Sequence, residues 1–252
     1  MERHRNTKEL WDRKAREWDD WIGTEGDMNR RFQSDPVLRE MLGELDGRTV
    51  LDSGCGTGYL ALRMAEEGAL VIGVDFSAKM IGIARERAGD NPHRVDFRVD
   101  SSSVLETVED GSIDVVVSNY VLMDLPEPDA ALLESNRVLR PGGRMVAVFS
   151  HPCFSDPRGP EWVENGSAQF RWDFSYFDER EREGEWGPFS TTFISYHRPL
   201  STYWRSFVAA GFTVLDFQEP VVEPPGPAEM TPEQFERYRL LPFSVAFHLE
   251  KK

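Results

Sequence analysis

The chain has 252 residues, 40% of them hydrophobic, which is enough to bury a sizeable core within one domain. Its 44 acidic and 29 basic side chains leave a net charge of −15, which repels phosphate backbones and anionic lipids, so we expect neither nucleic acid nor membrane as a partner. Two cysteines without metal-ligand spacing, a charged N-terminus and no apolar run of about 18 residues predict a cytoplasmic protein with no disulfide framework, secretory signal, metal site or membrane span.

The first 46 residues are predicted to form helices. Apolar side chains recur there at helical spacing: Leu10, Trp11, Ala15, Trp18 and Ile22. A second helix is predicted from Asp35 and Pro36, a capping acid followed by a proline in the first turn, to Gly47.

Residues 47–150 repeat the order strand, turn, helix. Strands are predicted at residues 49–53, 70–75, 95–99, 113–118 and 144–150, with helices near 58–67, 78–88, 102–107 and 129–139. The strands are continuous apolar runs, which is typical of parallel strands buried on both faces. This alternation predicts an α/β fold with a doubly wound, mostly parallel sheet.

After residue 150 the regular alternation ends. Residues 151–198 contain eleven of the 29 aromatic residues without clear periodicity: Phe154, Trp162, Phe170, Trp172, Phe174, Tyr176, Phe177, Trp186, Phe189, Phe193 and Tyr196. A helix at 201–210, a strand at 212–218, a proline-rich loop at 220–232 and a strand at 243–249 follow. The sheet then has seven strands in a single domain, whose segments are 1–46, 47–150, 151–198 and 199–252.

A glycine loop follows the first predicted strand, in the sequence VLDSGCGTGY of residues 50–59. Glycines let the backbone approach a ligand closely, and the helix that follows presents free N–H groups. The spacing differs from the dinucleotide fingerprint G-x-G-x-x-G because Tyr59 stands where the last glycine is required. Asp75 ends the second strand, where a carboxylate accepts hydrogen bonds from both ribose hydroxyls.

These segments resemble the class I S-adenosylmethionine-dependent methyltransferases. VLDSGCGTG looks like their first motif and GVDFSAKMI like their second, while FRVDSSS, IDVVVSNYVLMDL and ESNRVLRPGGRMVAVF resemble their third to fifth strands. The ordered match covers residues 49–150. The HPCF and HRPLS segments are similar to a bacterial subgroup with small substrates, of the methyltransferase type 11 kind. The resemblance implies a Rossmann-like fold with S-adenosylmethionine as cofactor and S-adenosylhomocysteine as product.

The resemblance also implies which residues bind the cofactor. The glycine loop lines its methionine end, Asp52 holds the ammonium, Asp75 binds the ribose, and Asp100 accepts from the adenine amino group. The complete predicted set is Trp18, Asp52, Gly54, Cys55, Gly56, Gly58, Tyr59, Asp75, Phe76, Met80, Asp100, Ser101, Asn119 and Tyr120. Alternatives remain open: Phe76 and Met80 as core residues, and Asp100 as the cap of the next helix.

The N-terminal helices and the inserted segment 151–198 are predicted to form a lid over the cofactor. Predicted substrate contacts are Trp21, Arg31, Met123, Tyr196 and Arg198. The tryptophans of the first helix have an alternative role as the buried stripe of an amphipathic helix.

Two histidines fall where the sheet opens, and each is a candidate general base near neutral pH. His151 directly follows the fifth strand, and His197 precedes the helix at 201–210. For both, a purely structural hydrogen bond is an equally good interpretation.

The leading hypothesis is methyl transfer to an oxygen or nitrogen of a small aromatic or apolar molecule. Alternatives are a C-methyltransferase, a protein side-chain methyltransferase, and a protein that binds S-adenosylmethionine without catalysis. A nicotinamide-dependent oxidoreductase is disfavoured by Tyr59 and by the Arg-Pro-Gly-Gly turn before the fifth strand. The sequence predicts no oligomeric state.

Overall fold

Seven strands pair into one sheet in the computed structural model, which describes residues 2–89, 95–154, 161–162, 167–169 and 174–252. The strands are β1 (Thr49–Ser53), β2 (Leu70–Asp75), β3 (Val95–Val99), β4 (Ile113–Asn119), β5 (Leu139–Ser150), β10 (Phe212–Gln218) and β11 (Ser244–Lys251). They lie in the order β10-β11-β5-β4-β1-β2-β3. The strand β11 runs antiparallel to both of its neighbours, β10 and β5, and the other neighbouring strands of this sheet pair in parallel. The strand order reverses between β1 and β4, which opens a crevice at the carboxyl ends of the parallel strands.

Helices cover both faces of the sheet, as a doubly wound fold requires. One core joins the sheet to α2 (Asp35–Leu42), α3 (Tyr59–Glu66) and α4 (Ala78–Ala88). The other joins it to α5 (Pro128–Val138) and α6 (Leu200–Ala209). The first helix, α1 (Glu2–Ile22), packs outside α4.

The predicted fold class is confirmed. The strands β1, β2, β3 and β10 begin and end where the sequence predicts them. The strand β5 begins at Leu139, five residues before the predicted start, because Leu139 pairs with Ile113 across an irregularity in the ladder between β4 and β5.

The predicted helix at 102–107 is wrong. Turns occupy these residues, and Leu105 has a φ of 44°, a left-handed conformation that an α-helix does not accept. The Asp100 carboxylate accepts hydrogen bonds from the Ser101 amide at 2.7 Å and the Thr107 amide at 2.8 Å. The polar side chain therefore closes a loop instead of capping a helix.

The second predicted helix begins and ends differently from the prediction. A π-helical turn (Arg30–Ser34) runs directly into α2, so Asp35 lies within a helical run and does not cap a helix start. The helix ends at Leu42, before the predicted Gly47, because Gly43 takes a φ of 65° there.

A helix near the C-terminus was missed. The helix α7 (Pro232–Leu240) follows the predicted proline-rich loop. Thr231 and Gln234 form a capping box, in which the Thr231 hydroxyl accepts from the Gln234 amide and the Gln234 side chain accepts from the Thr231 amide. The Thr-x-x-Gln spacing was a readable signal for this helix start.

The inserted segment contains two short antiparallel strand pairs. They are β6 (Glu161–Trp162) with β7 (Ala168–Gln169), and β8 (Arg180–Gly184) with β9 (Phe193–His197). Of the aromatic residues noted in this segment, Phe170, Trp172 and the side chain of Trp162 lie outside the described residues. Within the described parts of the chain, no helix is long and apolar enough to cross a membrane.

Candidate functional site

A cavity of about 1030 Å³ lies at the carboxyl ends of the parallel strands. Its walls are the glycine loop after β1, the ends of β2 and β4, one side of α1, and residues of β9 and α7. Pockets for a single drug-sized ligand occupy roughly 300–1,000 Å³. This cavity therefore has room for a nucleoside cofactor and a second small molecule together.

Asp75 joins two elements of the cavity wall. Its Oδ2 accepts a hydrogen bond from the Gly56 amide at 3.1 Å, and its Oδ1 accepts one from the Ser77 amide at 2.8 Å. Burial raises the pKa of Asp75 to about 6, although both amide hydrogen bonds act in the opposite direction. The carboxylate is thus fixed at the end of β2, on the cavity wall.

Asp52 is the second buried acid of this region. Burial raises its pKa to about 7, and the nearby negative charge of Asp75 adds to the shift. Its Oδ2 is buried and has no hydrogen-bond partner within the described residues. A buried acceptor without a partner is costly, so a positively charged donor such as an ammonium group is the chemical complement of this position.

Two glycines of the loop, Gly56 and Gly58, have different surroundings. Gly56 faces the Trp18 ring, with 3.6 Å from the position of an added Cβ to Trp18 Nε1, and it lines the cavity. Gly58 has a φ of 82°, and a Cβ there would lie 2.7 Å from Phe97 Cζ and 3.0 Å from Ala84 Cβ. Gly58 therefore lets α3 pack closely on β3 and α4 and lies off the cavity wall.

Cys55 lies between Gly54 and Gly56 and lines the cavity. Burial raises the pKa of its thiol well above the ordinary value, and the negative charges of Asp52 and Asp75 raise it further. The thiol consequently stays protonated at neutral pH.

Polar side chains meet where β4 ends and where α2 and α3 begin. The Asn119 amide donates to the Tyr59 hydroxyl at 2.9 Å, and that hydroxyl donates to Asp35 at 3.4 Å. The Asn119 Oδ1 is buried and has no hydrogen-bond partner in the described ranges. This acceptor lies on the same wall as Asp52.

Arg30 is a buried cation that the sequence analysis missed. Its Nη1 pairs with Asp27 Oδ2 at 2.6 Å, and its guanidinium lies 4.3 Å from the Tyr120 ring centroid and 5.2 Å from that of Trp18. The Asp27 charge keeps the pKa of Arg30 above its ordinary range in spite of burial. The neighbouring Arg31, predicted as a substrate contact, does not line the cavity.

Arg31 instead pairs with Glu229 at 3.5 Å and packs on the Phe32 ring. Adjacent arginines on a helical turn point in different directions, and the sequence alone gave no reason to prefer one of them. The Asp27-x-x-Arg30 spacing, which forms the buried pair, was the available signal.

Aromatic rings form one end of the cavity, contributed by α1 and by the segment leading into β9. Ring centroids of Trp11 and Phe193 are 5.6 Å apart, and those of Trp21 and Trp186 are 5.7 Å apart, both in edge-to-face geometry. Trp11 and Trp18 also pack on the buried Met80, so they form an amphipathic stripe, whereas Trp21 is 41% exposed.

The two histidines differ in position. His151 is not on the cavity wall: its Nδ1 accepts from the Cys153 amide at 3.0 Å and its Nε2 bonds Glu219 at 2.8 Å. His197 lines the cavity, with Nε2 bonded to the Tyr176 carbonyl oxygen at 2.8 Å. Burial is the main cause that lowers the pKa of each.

Most predicted site residues meet at this one cavity. The exceptions are Gly58, Asp100, His151 and Arg31, each held elsewhere by the contacts described above. Lining residues that the sequence analysis did not single out include Thr7, Asp27, Asn29, Arg30, Asp124, Tyr203 and Tyr238. Apart from Asp124, which lies in the segment after the fourth strand, they belong to loops and helices that carry no motif, so only the folded chain brings them together.

Comparison with known proteins agrees with this geometry. Residues 51–147 match the family described as a methyltransferase domain. The solved structure of a protein assigned as an S-adenosylmethionine-dependent methyltransferase, from Listeria monocytogenes, is 26% identical with a TM-score of 0.71, and the match covers 86% of this chain and 96% of that one. Residues 51–147 therefore match a methyltransferase domain, and the chain has the fold of an S-adenosylmethionine-dependent methyltransferase.

S-adenosylmethionine is the cofactor of this class of methyltransferase. A structure from Mesorhizobium loti, also an S-adenosylmethionine-dependent methyltransferase, shares the fold at 24% identity and a TM-score of 0.72, over 86% of this chain and 96% of that one. Among curated proteins, a ubiquinone biosynthesis O-methyltransferase of Sinorhizobium medicae is 39% identical over 147 residues, or 55% of this chain and 58% of the relative. The chain spans about half the length of the curated relatives it matches.

Proposed function

We propose that this methyltransferase transfers a methyl group from S-adenosylmethionine to an oxygen or nitrogen of a small, flat, largely apolar molecule. The observation that carries the proposal is the buried Oδ2 of Asp52, which no described residue bonds, beside the fixed carboxylate of Asp75. The size of the cavity and its aromatic end support a small second ligand.

The charges of the wall fit the methionine part of the cofactor. Asp52 would hold the ammonium, and the buried guanidinium of Arg30, on the same wall, would attract the carboxylate. Asp75 would accept the ribose hydroxyls, with Ser101 near the adenine. When bound, S-adenosylmethionine supplies a methyl group that is already activated, so the protein has mainly to orient the acceptor and exclude water.

The N-terminal helix and the inserted segment are proposed to exclude that water. Glu17 of α1 accepts from the Ser190 amide at 3.0 Å, and Lys14 donates to the Thr192 carbonyl at 2.5 Å. With the aromatic contacts between the same two segments, these bonds support a roof over the cavity. Aromatic faces near a sulfonium also stabilise its positive charge.

Calorimetric titration with S-adenosylmethionine, S-adenosylhomocysteine and NAD tests the cofactor assignment. We expect both sulfur compounds to bind the wild-type protein and NAD not to bind. Asp75→Ala should lose this binding because the ribose hydroxyls lose their acceptor.

Asp129→Ala is the matched control, since Asp129 is an exposed acid in the first turn of α5. It should bind the sulfur compounds like the wild type. Preferential binding of NAD, or unchanged affinity in Asp75→Ala, would contradict the assignment.

The proposal also covers the cellular compartment and the class of acceptor molecule. The two cysteines, Cys55 and Cys153, are not bonded to each other, which supports a reducing cytoplasm. The net charge of −15 supports a small-molecule acceptor over a nucleic acid.

A further inference from the structure

Asp124 is an acid of the cavity wall to which neither the family resemblance nor the cofactor gives a role. It ends a short 3₁₀ turn (Leu122–Asp124) directly after β4. Leu122 is 1% exposed and anchors the turn in the core, while Met123, Asp124 and Leu125 line the cavity. The turn thus places a carboxyl group at the carboxyl edge of the sheet, close in sequence to Asn119 and Tyr120.

The backbone around Asp124 is fixed from two sides. Its amide donates to the Val121 carbonyl at 2.9 Å. Arg198 Nη2 donates to the carbonyl oxygens of Leu125 at 2.8 Å and Pro126 at 2.9 Å. Arg198 therefore positions the loop that carries the acid, so that the carboxyl group is in place before an acceptor molecule enters.

The side chain of Asp124 has no hydrogen bond to any described residue, unlike the neighbouring acids Asp27 and Asp75. Burial raises the pKa of Asp124 to about 7, and the positive charges of Lys14 and Arg30 act in the opposite direction. Lys14 is held by the Thr192 carbonyl and lies 3.4 Å from the centroid of Phe193. The cations thus stabilise the carboxylate through space and leave its oxygens available.

Other titratable groups face the same region and are less suited to accept a proton. Burial raises the pKa of the Tyr203 hydroxyl on α6 to about 12, and Asp124 contributes to that shift. His197 already uses Nε2 to bond the Tyr176 carbonyl, and His151 is off the wall. Asp52 also has an oxygen without a partner among the described residues and a pKa raised to about 7, but its proposed role is to hold the cofactor ammonium. Asp124 is therefore the acid of this wall that remains available to accept a proton near neutral pH.

We propose that Asp124 is the general base of the reaction, and that the acceptor is a small aromatic compound that arrives with its hydroxyl protonated. The hydroxyl O–H bond breaks, its proton moves to a carboxylate oxygen of Asp124, and its electron pair remains on the oxygen that bonds the methyl carbon. The electron pair of the broken carbon–sulfur bond stays on sulfur, which becomes neutral. The positive charge is balanced by the proton that Asp124 accepts. This assignment rests on the proposed function.

The test uses 4-nitrophenol as the probe, because its phenolate is yellow and its protonation state is read directly by absorbance. The probe is titrated with pH in complex with protein saturated with S-adenosylhomocysteine. In the wild type, the Asp124 carboxylate accepts from the hydroxyl and repels the phenolate, so the bound probe should ionise about one pH unit higher than in free solution.

In Asp124→Asn that upward shift should disappear, because Lys14 and Arg30 then favour the phenolate. With S-adenosylmethionine, methylation of the probe at a pH where it is protonated should slow about 100-fold or more in this variant. The loss should be much smaller at a pH where the probe is already ionised. Asp129→Asn is the matched control and should behave like the wild type.

Identical ionisation of the bound probe in wild type and Asp124→Asn, or no binding of the probe to the complex, would overturn the proposal. Calorimetry with S-adenosylhomocysteine on the same preparations distinguishes a failure of the proposed function from a failure of the role assigned to Asp124. If no preparation binds S-adenosylhomocysteine, the proposed function fails; if all bind it and only the probe result is negative, only the role of Asp124 fails.

Discussion

Asp52 and Asp75 are buried acids whose pKa values lie above the ordinary 3.8, at about 7 and about 6. On folding without ligand these carboxyls take up protons between about pH 4 and pH 7, so their contribution to the free energy of unfolding falls as pH rises through that window. A bound ammonium reverses the preference because it favours the charged carboxylates.

The affinity for S-adenosylhomocysteine should therefore rise as pH increases through about 6 to 7. Calorimetry in buffers of different ionisation enthalpy should also show proton release on binding at about pH 6. In Asp52→Asn the pH dependence should become weaker. An affinity that is flat or falls over this range would contradict the role assigned to the two acids.

Gly58 provides a second test at the level of one residue. Gly58→Ala places a Cβ 2.7 Å from Phe97 Cζ at a φ of 82°, so the free energy of unfolding should fall by about 1–3 kcal/mol. Gly82→Ala is the control, because Gly82 lies within α4 with no atom within 4 Å of an added Cβ. It should stabilise the protein by about 0.5–1 kcal/mol. Urea unfolding measures both, and equal effects would count against the packing argument.

At the level of elements, the sequence predicted what depends on local pattern. Apolar runs in β1 and β2, and alternating apolar and charged residues in β3, predicted these strands with their observed bounds. The helix at 102–107 failed because Leu105 adopts a left-handed conformation, which an apolar pattern does not reveal. Most cavity residues that the sequence predicted lie in the recognised motifs. Arg30 lies outside them and reaches the wall through tertiary packing, while Asp124 lies in the segment after the fourth strand but had no predicted role.

Contact between α1 and β9 includes the buried Lys14, and burial lowers the pKa of its ammonium group from 10.5 to about 8. Between these values the unfolded chain binds more protons than the folded one, so the contribution of Lys14 to stability rises with pH from about 8 to 10.5.

Lys14→Met should remove this pH dependence. The free energy of unfolding of the wild type should increase relative to that of the variant as pH rises from about 8 to about 10. Chemical unfolding at several pH values measures the difference. A difference that stays constant across this range would show that Lys14 is not held in the buried environment described above.

At the level of the whole molecule, the net charge of −15 is the main long-range force. Self-repulsion of like charges destabilises a compact state, and salt screens it over a Debye length of about 8 Å at physiological ionic strength. The thermal midpoint should therefore rise when sodium chloride is increased from about 20 to about 200 mM. Sucrose at matched osmolality is the control for solvent effects. A midpoint that falls with salt would mean that local ion pairs outweigh the net charge.

The buried thiol of Cys55 has a consequence for the durability of the protein. A methyl sulfonium is an alkylating agent, and thiolates are among the best nucleophiles in proteins, so an ionised cysteine on this wall would compete with the acceptor for the methyl group. Burial and two neighbouring carboxylates keep the Cys55 thiol neutral. A neutral thiol is a poor nucleophile, so we expect Cys55 to escape alkylation by the cofactor, and iodoacetamide should label the half-buried Cys153 well before Cys55.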